Sequence, residues 1–384
     1  MIKTFTLCTA EVDDVEVATR EILDQLKGQT LLKNTVGIVA CHQEYVLSGA
    51  AKAICEALPF DVAGTVTTGQ AVSGERGILL FTAMVMTSDD VVFKTVITSS
   101  LLGDYEKAIR EAYAIAAKDV GRPALVLSFA GFMLENSGDE YVRVITDASG
   151  GAPCFGTLAV DDSLDFASSF MIYNGEHYRD CMAMVLAFGD IRPKFYIGTI
   201  SKEKIIERPA LITASNGHVL KEVNGRPVIE FFEEMGLKEA SETAYAMNSV
   251  PMMLDYNDGT PQVSKVFISL NERGEAICAG AMPEGSSLYF GVFDKEDVLL
   301  TTGKAVHRAI EENPDCNGML MYSCISRNMS LIGDILAEAD IVSEKAGDCP
   351  FMMVYSGGEM CPTTVGSAGA INRFHNNTFI LCII

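Results

Sequence analysis

The amino-acid sequence predicts an α+β fold in which a unit made of a strand, a helix and a meander of further strands occurs twice and is followed by a second α+β domain. Within each unit several apolar runs of strand length follow one helix, whereas strands and helices alternate strictly in a doubly wound parallel sheet. The sheets are therefore expected to be mixed and mainly antiparallel. Duplication is indicated by Gly64-Thr65 and Gly156-Thr157, which lie in equivalent predicted strands 92 positions apart.

The first domain is predicted to span residues 1–205 and to contain both units. Apolar periodicity in the first unit, about residues 35–118, predicts strands at 35–41, 61–70, 77–86 and 91–98 and helices at 46–58 and 104–118. The second unit, about residues 124–200, repeats this layout with strands at 124–130, 153–160, 168–174 and 182–195 and a helix at 139–148. The paired glycines let neighbouring backbones pack closely.

A charged segment that ends at Pro209 marks a boundary, and the second domain is predicted to span residues 206–384. It opens with the turn signals Asn216-Gly217 and Asn224-Gly225, which predict a hairpin. The predicted elements are strands at 210–215 and 219–223, a helix at 228–235, strands at 265–270, 276–281 and 287–292, a helix at 301–312, a strand at 319–324, a helix at 329–337 and closing strands at 350–355 and 379–384. The residues between the two closing strands are predicted to form a loop.

Charge and hydropathy exclude several classes of partner. The 384 residues include 51 acidic and 29 basic side chains, and the formal charge of −22 repels phosphate backbones and anionic lipid headgroups. The longest nearly unbroken apolar stretch, residues 124–134, is shorter than the ~20 residues that span a bilayer. The N-terminal segment reaches Asp13 and Asp14 before a signal-peptide core can form. We therefore expect a cytoplasmic protein with no nucleic-acid partner and no membrane insertion.

The sequence contains no standard catalytic or metal-binding motif. Its eleven cysteines form no Cys-x-x-Cys pair and stand at no zinc spacing with histidines, so they are expected to be reduced core residues. Dinucleotide, nucleophile-elbow and metalloprotease signatures are absent from the sequence. We therefore expect no metal and no cofactor.

The polar residues that suggest a site gather in the last thirty-five residues. After an apolar run, Ser356-Gly357-Gly358 leads to Glu359, and the twin glycine permits a positive φ and a close backbone approach. A zwitterionic ligand needs an acceptor for its ammonium, which Glu359 supplies, and a donor fork for its carboxylate, which Arg327 supplies. Asn376 and Thr378 add directional hydrogen bonds. Alternatively, Glu359 pairs with Arg373 or Arg327 and only pins the C-terminal strands.

The predicted ligand-binding set has further members in both halves of the chain. Cys324 and Tyr355 come from the two strands that lead into the site. Thr65 and Thr157 stand beside the repeated glycines, where their hydroxyls are expected to face a shared cleft. Asp161 follows the second of these strands, although Asp161-Asp162-Ser163 also fits a turn, because aspartate and serine readily bond their own backbone.

Three blocks resemble one protein family. Tyr-Ser-Gly-Gly-Glu-Met-Cys-Pro from Tyr355, followed by Phe-His-Asn-Asn-Thr from Phe374, resembles the closing signature of the FIST family. The segment from Leu211 to Phe232 agrees with it, and Cys324-Ile-Ser-Arg327 is similar to the family's Cys-x-x-Arg segment. The resemblance implies an N-terminal and a C-terminal FIST domain that form an intracellular sensory protein for an amino acid or similar small metabolite. Because no output domain is left in the sequence, the protein is expected either to pass its signal to a separate protein or to bind its ligand without signalling directly.

Two other functions remain open from the sequence. Cys324, His375 and Asn376 have the residue types of a cysteine hydrolase or transferase, in which a base activates a thiol. A scaffold that binds only other proteins is the third hypothesis. Fold-level analogy does not decide among them.

Overall fold

Three six-stranded sheets with the same strand order form the centre of the protein. The computed structural model describes residues 2–384 except 134, 164–165, 238, 240–249 and 367–368. Three units of the chain build these sheets, and each unit supplies two parallel strands, two antiparallel strands and a hairpin. The fold is α+β with mixed, mainly antiparallel sheets, which confirms the predicted fold class.

The bounds of the elements are as follows. The first unit contains β1 (Lys3–Thr9), α1 (Val15–Lys27), β2 (Asn34–Cys41), α2 (Gln43–Leu47), α3 (Ala50–Ala57), β3 (Asp61–Val66), β4 (Gln70–Val72), β5 (Glu75–Gly77) and β6 (Phe81–Ser88). The second contains β7 (Val92–Ile97), α4 (Tyr105–Ala116), β8 (Leu125–Ala130), α5 (Gly138–Ala148), β9 (Cys154–Leu158), β10 (Met171–Tyr173), β11 (Glu176–Tyr178) and β12 (Met182–Phe188).

The third unit is interrupted by an insertion, here called the eight-stranded module. The unit begins with β13 (Lys194–Gly198) and a 3-10 turn (Lys202–Lys204). The module contains β14 (Ile205–Asn216), β15 (Val219–Val223), β16 (Arg226–Pro227), α6 (Val228–Glu234), β17 (Met252–Asp255), β18 (Val263–Lys265), β19 (Phe267–Leu270), β20 (Ala276–Cys278) and β21 (Ser287–Gly291). The unit resumes with α7 (Lys295–Glu312), β22 (Met319–Cys324), α8 (Ile325–Met329), α9 (Ala337–Ala346), β23 (Phe351–Ser356), β24 (Glu359–Gly366), β25 (Gly369–His375) and β26 (Phe379–Ile383).

Each unit donates its hairpin to the sheet of another unit. The strand orders are β1-β6-β2-β3-β10-β11, β7-β12-β8-β9-β24-β25 and β13-β26-β22-β23-β4-β5. Hairpin β4–β5 of the first unit thus completes the third sheet, β10–β11 of the second completes the first, and β24–β25 of the third completes the second. The arrangement is cyclic, so no unit completes its own sheet.

The apolar side chains form one central core and an outer layer on each sheet. The central core takes residues from all three sheets, among them Ile38, Phe129 and Tyr322. On the outer faces, α1 and α3 cover the first sheet, α4 and α5 the second, and α7 and α9 the third. The strands are buried on both faces, and they accordingly read as continuous apolar runs. The module has a separate core around Phe232 and Phe290.

The repeated glycines occupy equivalent positions in the parallel ladders, as predicted from their spacing. Gly64 pairs with Val39 between β2 and β3, and Gly156 pairs with Ser128 between β8 and β9. A Cβ atom at Gly64 would stand 1.7 Å from the Val39 carbonyl oxygen, and one at Gly156 would stand 2.0 Å from that of Ser128. Only glycine permits this approach.

Several predicted elements differ from the structure. Strand β7 and helix α4 belong to the second unit, because β7 pairs with β12, and the first unit instead begins with β1 and α1. The predicted loop before the last strand is the hairpin β24–β25. The predicted helix at 329–337 is wrong, since α8 ends at Met329 and α9 begins at Ala337. The strand predicted at 182–195 is two strands, β12 and β13, in different sheets.

One pair of cysteines is not reduced, contrary to the expectation for all eleven. Cys316 and Cys349 form a disulfide with a Cα–Cα distance of 5.9 Å. They precede β22 and β23, and the parallel pairing of these strands brings the two residues side by side. The other nine cysteines are free, and eight of them are buried. None of the described helices is long and apolar enough to cross a membrane.

We expect Gly64→Ala to destabilise the protein severely. The new methyl group would overlap the backbone of β2, and the β2–β3 ladder would have to separate to accept it. The free energy of unfolding, measured by urea titration, should fall by more than the ~1–3 kcal/mol typical of overpacked cores. Gly366→Ala is the matched control, because a Cβ at this strand glycine meets no atom within 4 Å. Equal effects of the two substitutions would contradict the role given to Gly64.

Candidate functional site

The strongest cluster of polar side chains lies where the parallel strands β22 and β23 end. Cys324 and Ser356 are ladder partners at these carboxyl ends. Glu359 begins β24 three residues later and pairs with His375 of β25. The turn after β25 brings Asn376 and Asn377 to the same place, where the Cys324 amide donates to the Thr378 carbonyl oxygen at 3.0 Å. Carboxyl ends of parallel strands are a common location for ligand sites.

Glu359 is a fully buried carboxyl group without an ion-pair partner among the described residues. Its Oε1 lies 2.7 Å from Ser356 Oγ, and its Oε2 has no hydrogen-bond partner. Burial raises the pKa of Glu359 well above its usual range, and neither the Ser356 hydroxyl nor the more distant Arg327 offsets this. Ser356 Oγ also lies 3.2 Å from the Ser323 carbonyl oxygen. A hydroxyl has one proton to donate, so a protonated Glu359 can donate to Ser356 while Ser356 donates to Ser323.

Asn376 and Asn377 bring further unpartnered polar atoms to the site. Asn376 Oδ1 has no hydrogen-bond partner, and neither Oδ1 nor Nδ2 of Asn377 has one. Both side chains are buried. Asn377 adopts a φ of +49°, which asparagine tolerates better than most residues and which closes the turn between β25 and β26. Buried polar atoms without partners cost free energy, so their concentration at one place indicates a site rather than packing.

The twin glycine explains how Glu359 reaches this position. Gly358 adopts a φ of +145°, where a Cβ atom would stand 2.3 Å from the Phe374 ring and 3.1 Å from Asn376 Nδ2. A Cβ at Gly357 would stand 2.8 Å from the Ala159 carbonyl oxygen. The predicted close approach is therefore observed at both glycines, and the predicted positive φ at Gly358.

The thiol and imidazole of the site are in their neutral forms and are not joined. Burial, reinforced by Glu359, raises the pKa of Cys324 to about 12, and Ser326 Oγ donates to its sulfur. Burial lowers the pKa of His375 to about 3, and His375 Nε2 lies 3.2 Å from the Cys361 carbonyl oxygen. No hydrogen bond links the two side chains in the described structure. An activated cysteine needs a lowered pKa and an adjacent base, and this geometry provides neither.

Arg327 lies close to the site but is bound elsewhere. Its guanidinium forms an ion pair with Glu338 at 2.9 Å, and both side chains are 0% exposed. It also donates to the Val298 carbonyl oxygen at 3.0 Å and to Thr302 Oγ1 at 2.7 Å. Arg373 pairs with Asp258 of the module. Neither arginine is paired with Glu359, so the structural role considered for that carboxyl group is not what the geometry shows.

The other predicted residues divide between the site and its surroundings. Thr157 pairs with Glu359 in the β9–β24 ladder, and its hydroxyl donates to the Gly358 carbonyl oxygen at 3.2 Å. Thr378 Oγ1 donates to the Asn376 carbonyl oxygen at 2.6 Å. Tyr355 packs in the outer core of the third sheet, and its hydroxyl is 3.4 Å from the Ile335 carbonyl oxygen.

Thr65 and Asp161 lie outside this cluster. Thr65 is buried in the first sheet opposite Met171. Asp161 accepts from the Ser163 amide at 2.7 Å and from the Ser168 amide, as in the turn considered for this segment. Sequence analysis did not propose Ser356 or Asn377 as binding residues, although both stand within the motifs that it singled out. Ser356 matters through its contact with Glu359 and Asn377 through the hydrogen bonds that its side chain lacks, and sequence reveals neither.

The FIST N domain model matches residues 35–226, and the FIST C domain model matches residues 229–362. No curated protein matches the chain. Two solved structures of T. maritima PurL, one complexed with AMPPCP and one with FGAR, are similar at 8% and 10% sequence identity. Each match covers 99% of this chain and 72% of the PurL chain, and the TM-scores are 0.17 and 0.18. Scores this low carry no argument. The two domain models cover most of the chain, which therefore belongs to the FIST family of sensory domains associated with small-ligand binding.

Proposed function

We propose that the protein is a sensor that binds a small polar ligand beside Glu359, Asn376 and Asn377. The observation that carries this proposal is the set of buried polar atoms without protein partners in that one place. Unpaired polar atoms in a dry interior cost about 1–3 kcal/mol each, and a ligand that satisfies them recovers this free energy on binding. The family of sensory domains to which the chain belongs supports the same function.

The chemistry of the site favours an amine-bearing ligand, such as an amino acid or a related small metabolite. A ligand ammonium can pair with Glu359 once the carboxyl group loses its proton, and the two asparagine side chains offer oxygen acceptors and an amide donor. The predicted partner for a ligand carboxylate, Arg327, is paired with Glu338. We therefore propose that the amine end is the part that is recognised inside the protein.

Signalling and location complete the proposal. We propose that a separate protein receives the signal and that the sensor works in the cytoplasm. The excess of acidic side chains supports a soluble partner rather than nucleic acid or an anionic membrane. In a reducing compartment the Cys316–Cys349 disulfide would be open, and the two cysteines would remain neighbours through the pairing of β22 and β23.

Glu359→Gln should stabilise the ligand-free protein increasingly as pH rises. The folded-state pKa is raised, so above pH 4.5 the unfolded chain loses a proton that the folded chain keeps, and the wild-type free energy of unfolding falls. The difference between variant and wild type should grow by up to about 1.4 kcal/mol per pH unit until the pH reaches the folded-state pKa. Urea titrations between pH 4 and 8 measure this difference in the free energy of unfolding. The pH-dependent contribution of His375 is the same in both proteins and cancels.

Glu207→Gln is the control for this measurement, because Glu207 is exposed. Its effect should not depend on pH. If the Glu359→Gln difference is also constant over this range, Glu359 has an ordinary pKa in the folded protein, and the neutral site is contradicted.

Free amino acids, their amides and short alkylamines should raise the melting temperature of the wild-type protein selectively. A ligand at one hundred times its dissociation constant adds about 2.7 kcal/mol of stability. If Glu359 holds the ammonium, binding expels one proton, and the affinity should rise about tenfold per pH unit below the folded-state pKa. Glu359→Gln should weaken an amine by more than about tenfold.

The same screen separates the alternatives. Cys324→Ser should leave the ligand-induced shift nearly unchanged, whereas loss of a thiol-dependent turnover in this variant would favour the enzyme hypothesis. A broad screen without any shift, together with capture of a protein partner, would favour a scaffold. If a neutral ligand binds with an affinity that does not depend on pH, the proposed site is supported and the proposed amine ligand is contradicted.

A further inference from the structure

The eight-stranded module is attached to the rest of the protein by two connections that run side by side. The first follows β13 through residues 199–204, and the second leads from β21 through residues 292–294 into α7. The Val292 amide donates to the Lys204 carbonyl oxygen at 3.1 Å, and Lys204 forms an ion pair with Asp294. Two adjacent connections permit a module to rotate as a body, as in hinged domains.

Strand β18 of the module lies directly over the candidate site. The Asn376 amide donates to the Ser264 carbonyl oxygen at 3.0 Å. Ser264 Oγ is buried and has no hydrogen-bond partner, like Asn376 Oδ1 and both polar side-chain atoms of Asn377. Its ladder partner Met253 packs against Phe293 and Val298, next to Arg327. Ser264 is therefore on the face of the module that packs against the start of α7. It is not on the face that forms the module's own core.

A buried ion pair holds the module against the second unit. Lys265, the residue after Ser264, is 0% exposed, and its Nζ lies 2.9 and 3.0 Å from the carboxylate oxygens of Asp139 in α5. The same Nζ donates to the Phe374 carbonyl oxygen at 2.8 Å, next to His375. The Ala281 amide of the module also donates to Asp139 at 2.7 Å. This contact, here called the latch, lies beside the site, because Phe374 directly precedes His375.

Further polar atoms without a hydrogen-bond partner lie in the first connection and at the start of α7. Thr199 Oγ1 and Ser201 Oγ in the first connection have no hydrogen-bond partner, and the same is true of Asp297 Oδ1 at the start of α7. Their side chains lie on the boundary between the module and the other units, where the Ser201 amide donates to Asp297 Oδ2 at 3.1 Å. Unpaired buried polar atoms cost free energy, so they stabilise the closed boundary less than paired atoms would.

We propose that the eight-stranded module is a hinged lid on the candidate site. It turns about residues 199–204 and 292–294, closes the site with Ser264, and is held shut by the latch between Lys265 and Asp139. Glu359, Asn376 and Asn377 are all buried, so a ligand needs an opening of the structure to reach them. The proposal rests on the proposed function, since it names how the same site is opened and closed.

The test measures access to Cys324 without any ligand. The full chain is treated with iodoacetamide, and the alkylation of each cysteine is followed by mass spectrometry. Cys324 is free and buried in the site, while Cys154 and Cys382 are free and buried in the fixed sheets. In Asp139→Asn the latch loses its charge pair, and alkylation of Cys324 should accelerate by about tenfold or more while Cys154 and Cys382 stay within about twofold of wild type.

Asp147→Asn is the matched control, because Asp147 lies on the same helix and forms an exposed ion pair with Arg110 away from the module. It should leave all three rates unchanged. Equal acceleration of Cys324 and Cys382 in Asp139→Asn would mean global loosening, and no acceleration of Cys324 would mean that the latch does not control access. Either result overturns the lid.

A second variant serves if Asp139→Asn does not fold. A Cβ atom at Gly280 would stand 2.7 Å from Asp139 Oδ2 and 2.8 Å from Lys265 Nζ, so Gly280→Ala disturbs the latch while keeping both charges. It should produce the same selective increase at Cys324. The two proposals can be contradicted separately. If the rate of Cys324 alkylation is unchanged while amines still raise the melting temperature, the lid alone is rejected. If Cys324 alkylation accelerates selectively but no ligand shifts the melting temperature, the proposed function alone is rejected.

Discussion

The exchange of hairpins among the three units is the constraint on which the rest of the structure depends. Each parallel pair of strands is covered at one edge by a hairpin from another unit, so each sheet needs two units and all three units must assemble before the three sheets are complete. Contacts of this kind join residues far apart in sequence, and their loop-closure entropy is offset only when the common core forms. The candidate site follows from this exchange, because hairpin β24–β25 leaves the third unit at Glu359 and returns to it at Asn376 after pairing with the second sheet.

The sequence predicted the local elements better than their assembly. Strand β22 was predicted with the observed bounds, and the spacing of Gly64 and Gly156 identified equivalent ladder positions. The third unit escaped prediction, since the module separates β13 from α7 and Met353 stands where the other units have glycine. The hairpin β24–β25 was expected to be a loop because its strands alternate too little in polarity to resemble a half-buried hairpin.

The candidate site was predicted only in part, again because assembly is harder to predict than local sequence. The sequence motifs predicted that Cys324, Glu359 and Asn376 share one site, and the structure brings these residues together. It could not show that Arg327 turns toward Glu338, because that choice depends on α9, which sequence analysis placed in the wrong residues. Nor does sequence reveal that Glu359 is left without a cation, which requires knowing where every neighbouring charge has gone.

The Cys-x-x-Arg segment connects the site to the hinge of the module. Cys324 lies beside Glu359, and three residues later Arg327 binds the carbonyl oxygen of Val298 and lies 3.5 Å from that of Gly198. Gly198 is the last residue before one connection to the module, and Val298 follows the other, so a single side chain fixes both at their origin. Because Cys324 directly precedes α8 and Arg327 lies within that short helix, a displacement of Cys324 in the site would also strain the Arg327 contacts at the two connections to the module.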